Sequence, residues 1–212
     1  MSRCGRTLAL TGAFCVLALS GCTKSWKQFA YEGFGRDEWQ HPDRVIEALA
    51  IEPGLQIADL GSGSGYFTFD LAAATGPEGI VYAVDVDPDM IELVDELKTE
   101  KRVANVTTVL AEADDPGLPD GEIDLVFTSN VYHHLDDPTD YFAHLKKDLA
   151  PGARVAILDL RPEAGWFTRF FGHTSEATQI RKEMTHAGYR LEGEQDFVEA
   201  QTFHIFVPDT AR

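Results

Sequence analysis

The sequence predicts an α/β fold: a doubly wound, seven-stranded and mostly parallel sheet that ends in an antiparallel hairpin. Short apolar runs alternate with helical patterns through the middle of the chain, as strands and their crossover helices do. The runs are almost continuously apolar, which is typical of strands covered by helices on both faces. Only a few residues separate the last two runs, and so short a connection suits a hairpin.

The predicted helices follow apolar residues at helical spacing. In HPDRVIEALAIEPG, Val45, Ile46 and Leu49 form one apolar stripe, and Gly54 marks the stop. The pattern DMIELVDELKT is amphipathic, with Asp87 or Pro88 near its start. Including that pattern, the later helices are predicted at residues 66–74, 89–99, 138–149 and 174–187.

The predicted strands are the apolar runs between these helices, such as IVYAVD and ARVAILDL. Parallel strands joined by helices place their carboxyl ends at one edge of the sheet, where ligands bind. Five parallel strands are predicted at residues 56–60, 80–85, 106–110, 123–129 and 153–160, and the hairpin at 189–196 and 201–207.

The first 21 residues have the pattern of a secretory signal. Two arginines precede a mostly apolar run that is short for a bilayer crossing. The following LSGC resembles the lipobox of bacterial lipoproteins, which implies cleavage before Cys22 and a lipid anchor on it. The anchored protein would face the periplasm, and Thr23 after the cysteine favours the outer membrane. A plain secretory signal or an uncleaved anchor, with Cys22 incidental, is the alternative.

Composition limits the possible partners and chemistry. The formal net charge is −17, so we expect no nucleic-acid partner, because binding to phosphate backbones needs a basic surface. Of the three cysteines, only Cys22 would remain after cleavage. Disulfides and thiol catalysis are then excluded. We expect residues 22–41 to form a tether and a possible lid, and residues 42–212 to form the domain.

The stretch IADLGSGSGYFT, residues 57–68, runs from a predicted strand directly into a predicted helix. Such a loop points backbone N–H groups at a ligand beyond the end of the strand. A dinucleotide-binding fingerprint, G-x-G-x-x-G, would need its third glycine at the position of Tyr66. The spacing therefore favours a ligand other than a dinucleotide.

The segment DLGSGSGY resembles the first motif of class I S-adenosylmethionine-dependent methyltransferases. The resemblance implies a Rossmann-like methyltransferase fold for residues 42–212, with S-adenosylmethionine as cofactor. It implies that the loop passes beneath the methionine part of the cofactor and that the preceding acid helps to hold the amino group. The matching positions are Asp59, Gly61, Ser62, Gly63 and Gly65.

The end of the second predicted strand continues the resemblance. Asp85 and Val86 stand in YAVDVDP, and a carboxylate there can accept hydrogen bonds from both ribose hydroxyls. An acid at the end of a strand is also compatible with simple exposure to solvent. We expect Asp85 and Val86 to bind the cofactor.

Two later segments complete the resemblance, which covers about residues 42–160. LAEADDPGLP is similar to the family's adenine-binding segment and places Glu112 and Ala113 at the adenine, with Asp114 as the alternative acid. IDLVFTSNVYHHLDDP is similar to the family's fourth strand and the stretch after it. The match implies that Asn130 faces cofactor and substrate.

Candidate catalytic residues follow the fourth strand. Methyl transfer requires an aligned acceptor and, for weak nucleophiles, removal of a proton. A histidine pKa of about 6.5 suits that task, so His133 is the preferred base, with Tyr132 beside it; core packing is the alternative role. In GRDEWQHP, Arg36, Trp39 and His41 form a second group. Related enzymes have a lid there, so Trp39 would cover the pocket, with ordinary packing as the alternative.

The expected function is that of an S-adenosylmethionine-dependent methyltransferase acting on a small or lipid-like organic acceptor. No metal is expected, because metal-dependent relatives have an acidic cluster where this chain has Asn130, and His133 and His134 are neighbours that do not share a face. The alternative is a non-catalytic, membrane-anchored binding protein that retains the cofactor fold, since export separates the domain from a cofactor made in the cytoplasm. A nicotinamide-dependent oxidoreductase is disfavoured by Tyr66 and by the terminal hairpin.

Overall fold

A computed structural model of the chain describes residues 36–162 and 174–209. The predicted signal segment, the predicted anchor Cys22 and most of the predicted tether lie outside these residues. Within these two ranges, no helix is both long enough and apolar enough to cross a membrane.

Six α-helices are present in the described part of the chain. Aspartates cap two of them: Asp87 accepts a hydrogen bond from the N–H of Asp89 at 3.0 Å, and Asp137 accepts one from Asp140 at 3.0 Å. The helices are α1 (Arg36–Gln40), α2 (Pro42–Leu49), α3 (Thr68–Thr75), α4 (Pro88–Lys101), α5 (Pro138–Leu145) and α6 (Ala177–His186).

Seven strands form one sheet in the order β3-β2-β1-β4-β5-β7-β6. The first five strands of the chain pair in parallel, and β7 runs antiparallel to both β5 and β6. The predicted fold class is confirmed, including the terminal hairpin. The strands are β1 (Gln56–Leu60), β2 (Ile80–Asp85), β3 (Val106–Leu110), β4 (Ile123–Ser129), β5 (Leu149–Leu160), β6 (Tyr189–Gln195) and β7 (Gln201–Pro208).

The strand order reverses between β1 and β4. From β1 the chain builds outward to β2 and β3, and it then returns to place β4 on the other side of β1. Loops after β1 and β4 therefore diverge at the carboxyl edge of the sheet. In open α/β sheets this divergence creates the crevice in which ligands bind.

An apolar core covers each face of the sheet. On one face Ile157 of β5 belongs to a cluster with Phe142 of α5 and Met184 of α6. On the other face Ile57 of β1 belongs to a cluster with Leu71 of α3. Because the central strands are buried on both sides, their sequences are continuously apolar rather than alternating.

Several element boundaries differ from the sequence prediction. The predicted helix 138–149 ends at Leu145, a 3₁₀ turn covers Lys146–Asp148, and β5 begins at Leu149. Pairing with β4 shifts register between Ile123 and Leu125, so the PG dipeptide that indicated a helix end lies in an irregular strand start. In addition, α3 begins two residues and α6 three residues later than predicted, and α1 is a helix where a tether and a possible lid were expected.

Candidate cofactor site

A cavity of about 380 Å³ lies at the carboxyl ends of β1, β2 and β4. Strand β1 contributes Asp59 and the glycine loop after it, β2 contributes Asp85, and β4 contributes Ser129 and the following Asn130. The cavity thus occupies the crevice where the strand order reverses. This is where the sequence predicted a ligand.

The glycine loop, residues 61–65, has a path that requires glycine. Its three glycines have φ values of 73°, 53° and 82° in chain order, all in the left-handed region. A Cβ on Gly61 would lie 2.2 Å from a methyl group of Val131. The N–H groups of Gly61 and Ser62 both donate to the carbonyl of Val84, at 2.8 and 2.9 Å. The loop is therefore fixed between the end of β2 and the segment after β4.

Asp85 holds the glycine loop in place from β2. Its two carboxylate oxygens each accept a backbone N–H, one from Gly63 at 2.8 Å and one from Asp87 at 2.9 Å. The residue lines the cavity and is 8% exposed. Since each carboxylate oxygen can accept a second hydrogen bond, Asp85 can also receive two hydroxyl groups from a ligand.

Asp59 is a buried acid in the cavity wall. The hydroxyl of Thr68 donates to its Oδ2 at 2.6 Å. Burial raises the pKa of Asp59 to about 7, and the Thr68 hydrogen bond and the nearby Arg36 guanidinium only partly oppose this rise. A cation bound beside the carboxylate would favour its charged form. The position therefore suits an ammonium group.

The residues after β3 form the rim of the cavity next to β2. The N–H of Ala111 donates to the carbonyl of Asp85 at 2.9 Å, which places Glu112 and Ala113 beside the end of β2. Val86 also lines the cavity and is 59% exposed. An exposed apolar side chain next to polar groups suits the face and the edge of a flat heterocycle.

Asn130 lies at the end of β4 in the left-handed region, with φ of 59°. Its N–H donates to the carbonyl of Leu158 at 2.8 Å, and its side-chain oxygen accepts a hydrogen bond from Gln201 at 2.7 Å. Because that bond uses the amide oxygen, the amide NH₂ is the donor that Asn130 offers to the cavity.

Helix α1 supplies a further part of the cavity wall. Gln40 is fully buried, and its amide donates to Ser129 and to Gln201, both at 3.0 Å. These bonds attach α1 to β4 and β7. Arg36, at the start of α1, lines the cavity, whereas Trp39, the residue expected to cover it, does not.

His133 pairs with a buried acid next to the cavity. Its Nδ1 lies 2.9 Å from Oδ1 of Asp159, a fully buried residue near the end of β5. His134 lines the cavity, and the centroids of the His133 and His134 rings are 4.2 Å apart. His133 itself does not line the cavity, but it directly precedes His134, which does. The sequence indicated the histidine but not its partner.

Tyr132 lies in the core rather than at the cavity. It is 1% exposed, it stacks on Phe142, and its hydroxyl donates to Glu183 of α6 at 2.7 Å. Burial and the Glu183 carboxylate raise the pKa of Tyr132 far above its usual range. The phenol therefore stays protonated, and the structure does not bring it to the cavity as a base.

Most of the predicted cofactor-binding residues come together in this cavity. Gly65 does not line it: a Cβ there would lie 3.0 Å from Phe69, so this glycine permits close packing on α3. Phe67, Leu135 and Tyr141 also line the cavity, and no role was predicted for them from the sequence. The predicted residues that line it are Asp59, Gly61, Ser62, Gly63, Asp85, Val86, Glu112, Ala113 and Asn130.

S-adenosylmethionine fits this lining. Asp59 suits its amino group, Asp85 its ribose hydroxyls, and Val86 with the rim after β3 its adenine. In the described ranges, no group of three or more histidine, cysteine or acidic residues is arranged to hold a metal ion.

Comparison with known proteins agrees with this assignment. Residues 58–157 match a protein family described as a methyltransferase domain. The structure is similar to the crystal structure of an S-adenosylmethionine-dependent methyltransferase from Aquifex aeolicus, with a TM-score of 0.79 and 23% identity over 86% of this chain and 98% of that one. At this identity the likeness shows the fold.

Two curated relatives are similar in sequence. Aklanonic acid methyltransferase DauC from Streptomyces sp. (strain C5) is 30% identical over 58% of this chain and 56% of its own length. A tRNA U34 carboxymethyltransferase from Alcanivorax borkumensis is 30% identical over 66% of this chain and 45% of its own length. The chain spans about half the length or less of the curated relatives it matches. The match over residues 58–157 is to a methyltransferase domain, and the fold is similar to that of an S-adenosylmethionine-dependent methyltransferase.

Proposed function

We propose that this protein transfers the methyl group of S-adenosylmethionine to a small organic acceptor. The observation that carries the proposal is Asp85, whose two oxygens are held by Gly63 and Asp87 in the lining of a cavity that fits the cofactor. In this proposal Asp59 binds the amino group, Asp85 the ribose, and Glu112 with Ala113 the adenine. Asn130 faces cofactor and acceptor.

The acceptor is proposed to be a small molecule because of three observations. The net charge of −17 opposes close approach of a phosphate backbone, although one similar protein is named for tRNA modification. Another similar protein is named for the methylation of aklanonic acid, a small organic molecule. Described lining residues such as Leu135 and Tyr141 offer apolar surface for an organic acceptor.

His133 does not itself line the cavity, but we propose it as the proton acceptor because it adjoins the lining residue His134 and is positioned by Asp159. When bound, the cofactor supplies an electrophilic methyl group on a sulfonium sulfur. In this proposal Nε2 of His133, the ring nitrogen that does not contact Asp159, would take the proton that the acceptor's heteroatom loses on methylation. The contact of Nδ1 with Asp159 at 2.9 Å orients the ring and stabilises the imidazolium that forms.

Calorimetric titration of the full chain with S-adenosylmethionine tests the proposal. We expect micromolar binding, and we expect Asp85→Asn to weaken it about 10- to 100-fold, because an amide cannot accept both backbone N–H groups and two hydroxyls. The control is Glu78→Gln, which removes an exposed charge before the start of β2. Absence of binding to the wild type would contradict the cofactor assignment and leave the non-catalytic alternative.

A screen of organic acceptors with isotope-labelled cofactor then tests catalysis. With the acceptor found, His133→Gln should lower kcat by about 10²- to 10⁴-fold while cofactor affinity stays at the wild-type value. Unchanged kcat would remove His133 from the mechanism. Binding of the cofactor without transfer to any acceptor would favour a binding protein.

We also propose that the mature protein is anchored by a lipid on Cys22 and faces the periplasm, on the outer membrane. The support is the charged and apolar start of the chain followed by LSGC. Cys22→Ser should move the protein from the membrane fraction to the soluble periplasmic fraction. If Cys22→Ser leaves the membrane fraction unchanged, the lipid anchor is wrong.

A further inference from the structure

Four side chains from separate parts of the fold form a chain of hydrogen bonds that ends at the cofactor cavity. It starts on α1, where Nε of Arg36 donates to the side-chain oxygen of Gln40. The NH₂ group of Gln40 donates to the side-chain oxygen of Gln201 in β7 at 3.0 Å, and the NH₂ group of Gln201 donates to the side-chain oxygen of Asn130 at 2.7 Å. Gln40 and Gln201 are fully buried, whereas Asn130 lines the cavity.

The chain runs in one direction because its first member can only donate. A guanidinium nitrogen never accepts a hydrogen bond, so Gln40 turns its oxygen toward Arg36 and its NH₂ group toward Gln201. Gln201 in turn receives with its oxygen and donates with its NH₂ group. Reversing any one of the three amides would set like groups against each other in the interior, where an unmade hydrogen bond is costly. The orientation of the Asn130 amide is therefore set from α1.

The backbone holds Asn130 in place while its amide is oriented. Its N–H donates to the carbonyl of Leu158 at 2.8 Å, so the amide can reverse only by turning about its own side-chain bond. Gln201 occupies the amide oxygen, which leaves the NH₂ group for the cavity. A ligand atom that meets this group must accept a hydrogen bond.

We propose that Gln201 is a positioning residue that passes the donor direction of α1 on to Asn130, and that the acceptor molecule presents a carbonyl or ionised oxygen to the Asn130 NH₂ group. A donor at this place stabilises the negative charge that grows on an acceptor's oxygen as its proton leaves. The part of the inference that concerns the acceptor molecule rests on the proposed function. The orientation of the amide does not.

Gln201→Glu tests the relay, because a carboxyl group changes from donor to acceptor with pH. At pH 8 the ionised carboxylate can only accept, so Asn130 should turn its NH₂ group toward the carboxylate and its oxygen toward the cavity. At pH 5 burial keeps the new carboxyl group protonated, and it should donate to Asn130 as the glutamine does. NMR of the isotope-labelled full chain measures how fast the Asn130 side-chain protons exchange with water. One of them should exchange about 10-fold more slowly than in the wild type at pH 8, and at the wild-type rate at pH 5.

Gln40→Glu reverses the chain from a greater distance, and it replaces Gln201→Glu if that variant does not fold, since Arg36 lies beside the new charge. Its carboxylate still accepts from Arg36 but cannot donate to Gln201. Gln201 and then Asn130 should therefore both reverse, with the same slow exchange at Asn130. The control is Gln195→Glu, which adds the same charge on β6 outside the cavity lining and should leave the exchange at Asn130 unchanged.

Methyl transfer gives a second measurement. With the acceptor found in the screen, Gln201→Glu should have a kcat/KM about 10- to 100-fold below that of Gln195→Glu at pH 8, because the oxygen of Asn130 then faces the acceptor's oxygen. At pH 5 the two variants should differ little. The affinity for S-adenosylmethionine should stay at the wild-type value in both.

The outcomes separate this inference from the proposed function. If the exchange of the Asn130 protons at pH 8 is unchanged in both variants, the relay is wrong, whatever the protein methylates. Slow exchange with an unchanged kcat/KM, or an acceptor without a carbonyl or ionisable oxygen, would overturn the part that concerns the acceptor molecule. If the wild type does not bind the cofactor, the proposed function is wrong, and the slow exchange, which is measured without any ligand, would still support the relay.

Discussion

Burial, more than any hydrogen bond, sets the chemistry of Asp59. The residue is 3% exposed, and its pKa is raised to about 7 although Thr68 donates to it and Arg36 is close. Near neutral pH this carboxyl group is therefore protonated in a large fraction of molecules. An ammonium group binds best to the charged form, so the proposed binding of the cofactor must release this proton.

We predict that the affinity for S-adenosylmethionine rises about 5- to 10-fold between pH 6 and pH 7.5, as Asp59 loses its proton through a pKa of about 7. Titrations in buffers of different ionisation enthalpy should show proton release on binding. Asp59→Asn should bind more weakly at every pH and without this dependence. A wild-type affinity that is constant over the range would contradict the role given to Asp59.

Among the connecting elements, the glycine loop requires glycine at residue 61 for two reasons, its backbone conformation and its close packing against a neighbouring side chain. Gly61 and Gly121 have almost the same φ, 73° and 72°, but they differ in their surroundings. A Cβ on Gly61 would overlap Val131, whereas one on Gly121 would meet nothing within 4 Å. The sequence showed the spacing of the glycines, but the contact with Val131 depends on how β1 and β4 pair.

The two glycines form a matched pair for mutation. Gly121→Ala should cost about 1 kcal/mol of unfolding free energy from the positive φ alone. Gly61→Ala should cost about 1 to 3 kcal/mol more because of the overlap with Val131, and Val131→Ala in the same chain should recover part of that loss. Urea unfolding of the wild type, the two single glycine variants and the Gly61→Ala/Val131→Ala double variant measures these free energies. Equal costs at the two glycines would show that the loop moves away from Val131.

Element boundaries were harder to predict than elements. One continuous stretch, a run of apolar residues followed by PG, contains both the signal for the end of α5 and the signal for the start of β5. Because β5 pairs irregularly with β4, the strand starts at Leu149 and not at residue 153 as predicted. Gly152, with φ of 86°, lies within that strand. The pairing of β5 with β4 therefore places these residues in a strand, although the local PG sequence predicted a turn.

At the scale of the whole molecule, a buried acid opposes folding at neutral pH. Asp148, in the turn before β5, is 0% exposed, and neither carboxylate oxygen has a hydrogen-bond partner among the described residues. Burial raises the pKa of Asp148 to about 6, against the attraction of Lys147. Its stabilising contribution is complete below the unfolded pKa of about 4 and is lost as the pH rises through about 6.

We predict that Asp148→Asn raises the free energy of unfolding by about 1 to 3 kcal/mol at pH 8 and has little effect at pH 4.5. The amide resembles the protonated acid in size and removes the buried charge. Glu78→Gln, at an exposed site, should shift stability little at either pH. Urea unfolding at pH 8 and pH 4.5 measures these free energies. An Asp148→Asn variant less stable than the wild type at pH 8 would contradict the prediction.

Helix α1 shows how distant parts of the chain build one site. Gln40 donates to Gln201 of β7, and Gln201 donates to Asn130 after β4, so the first described helix and the last strand share one buried network. This network positions α1, and with it Arg36, at the cavity. A domain that began at residue 42, as the sequence indicated, would lack this helix.

Hydrophobic periodicity and glycine spacing are local features, so the order of strands and helices, the terminal hairpin and the glycine loop could all be predicted without the structure. Three features could not be predicted in this way: Arg36 lines the cavity, Tyr132 lies in the core, and His133 contacts Asp159, 26 residues further on. The physical reason is that these contacts join residues which only the pairing of strands and the packing of helices bring together.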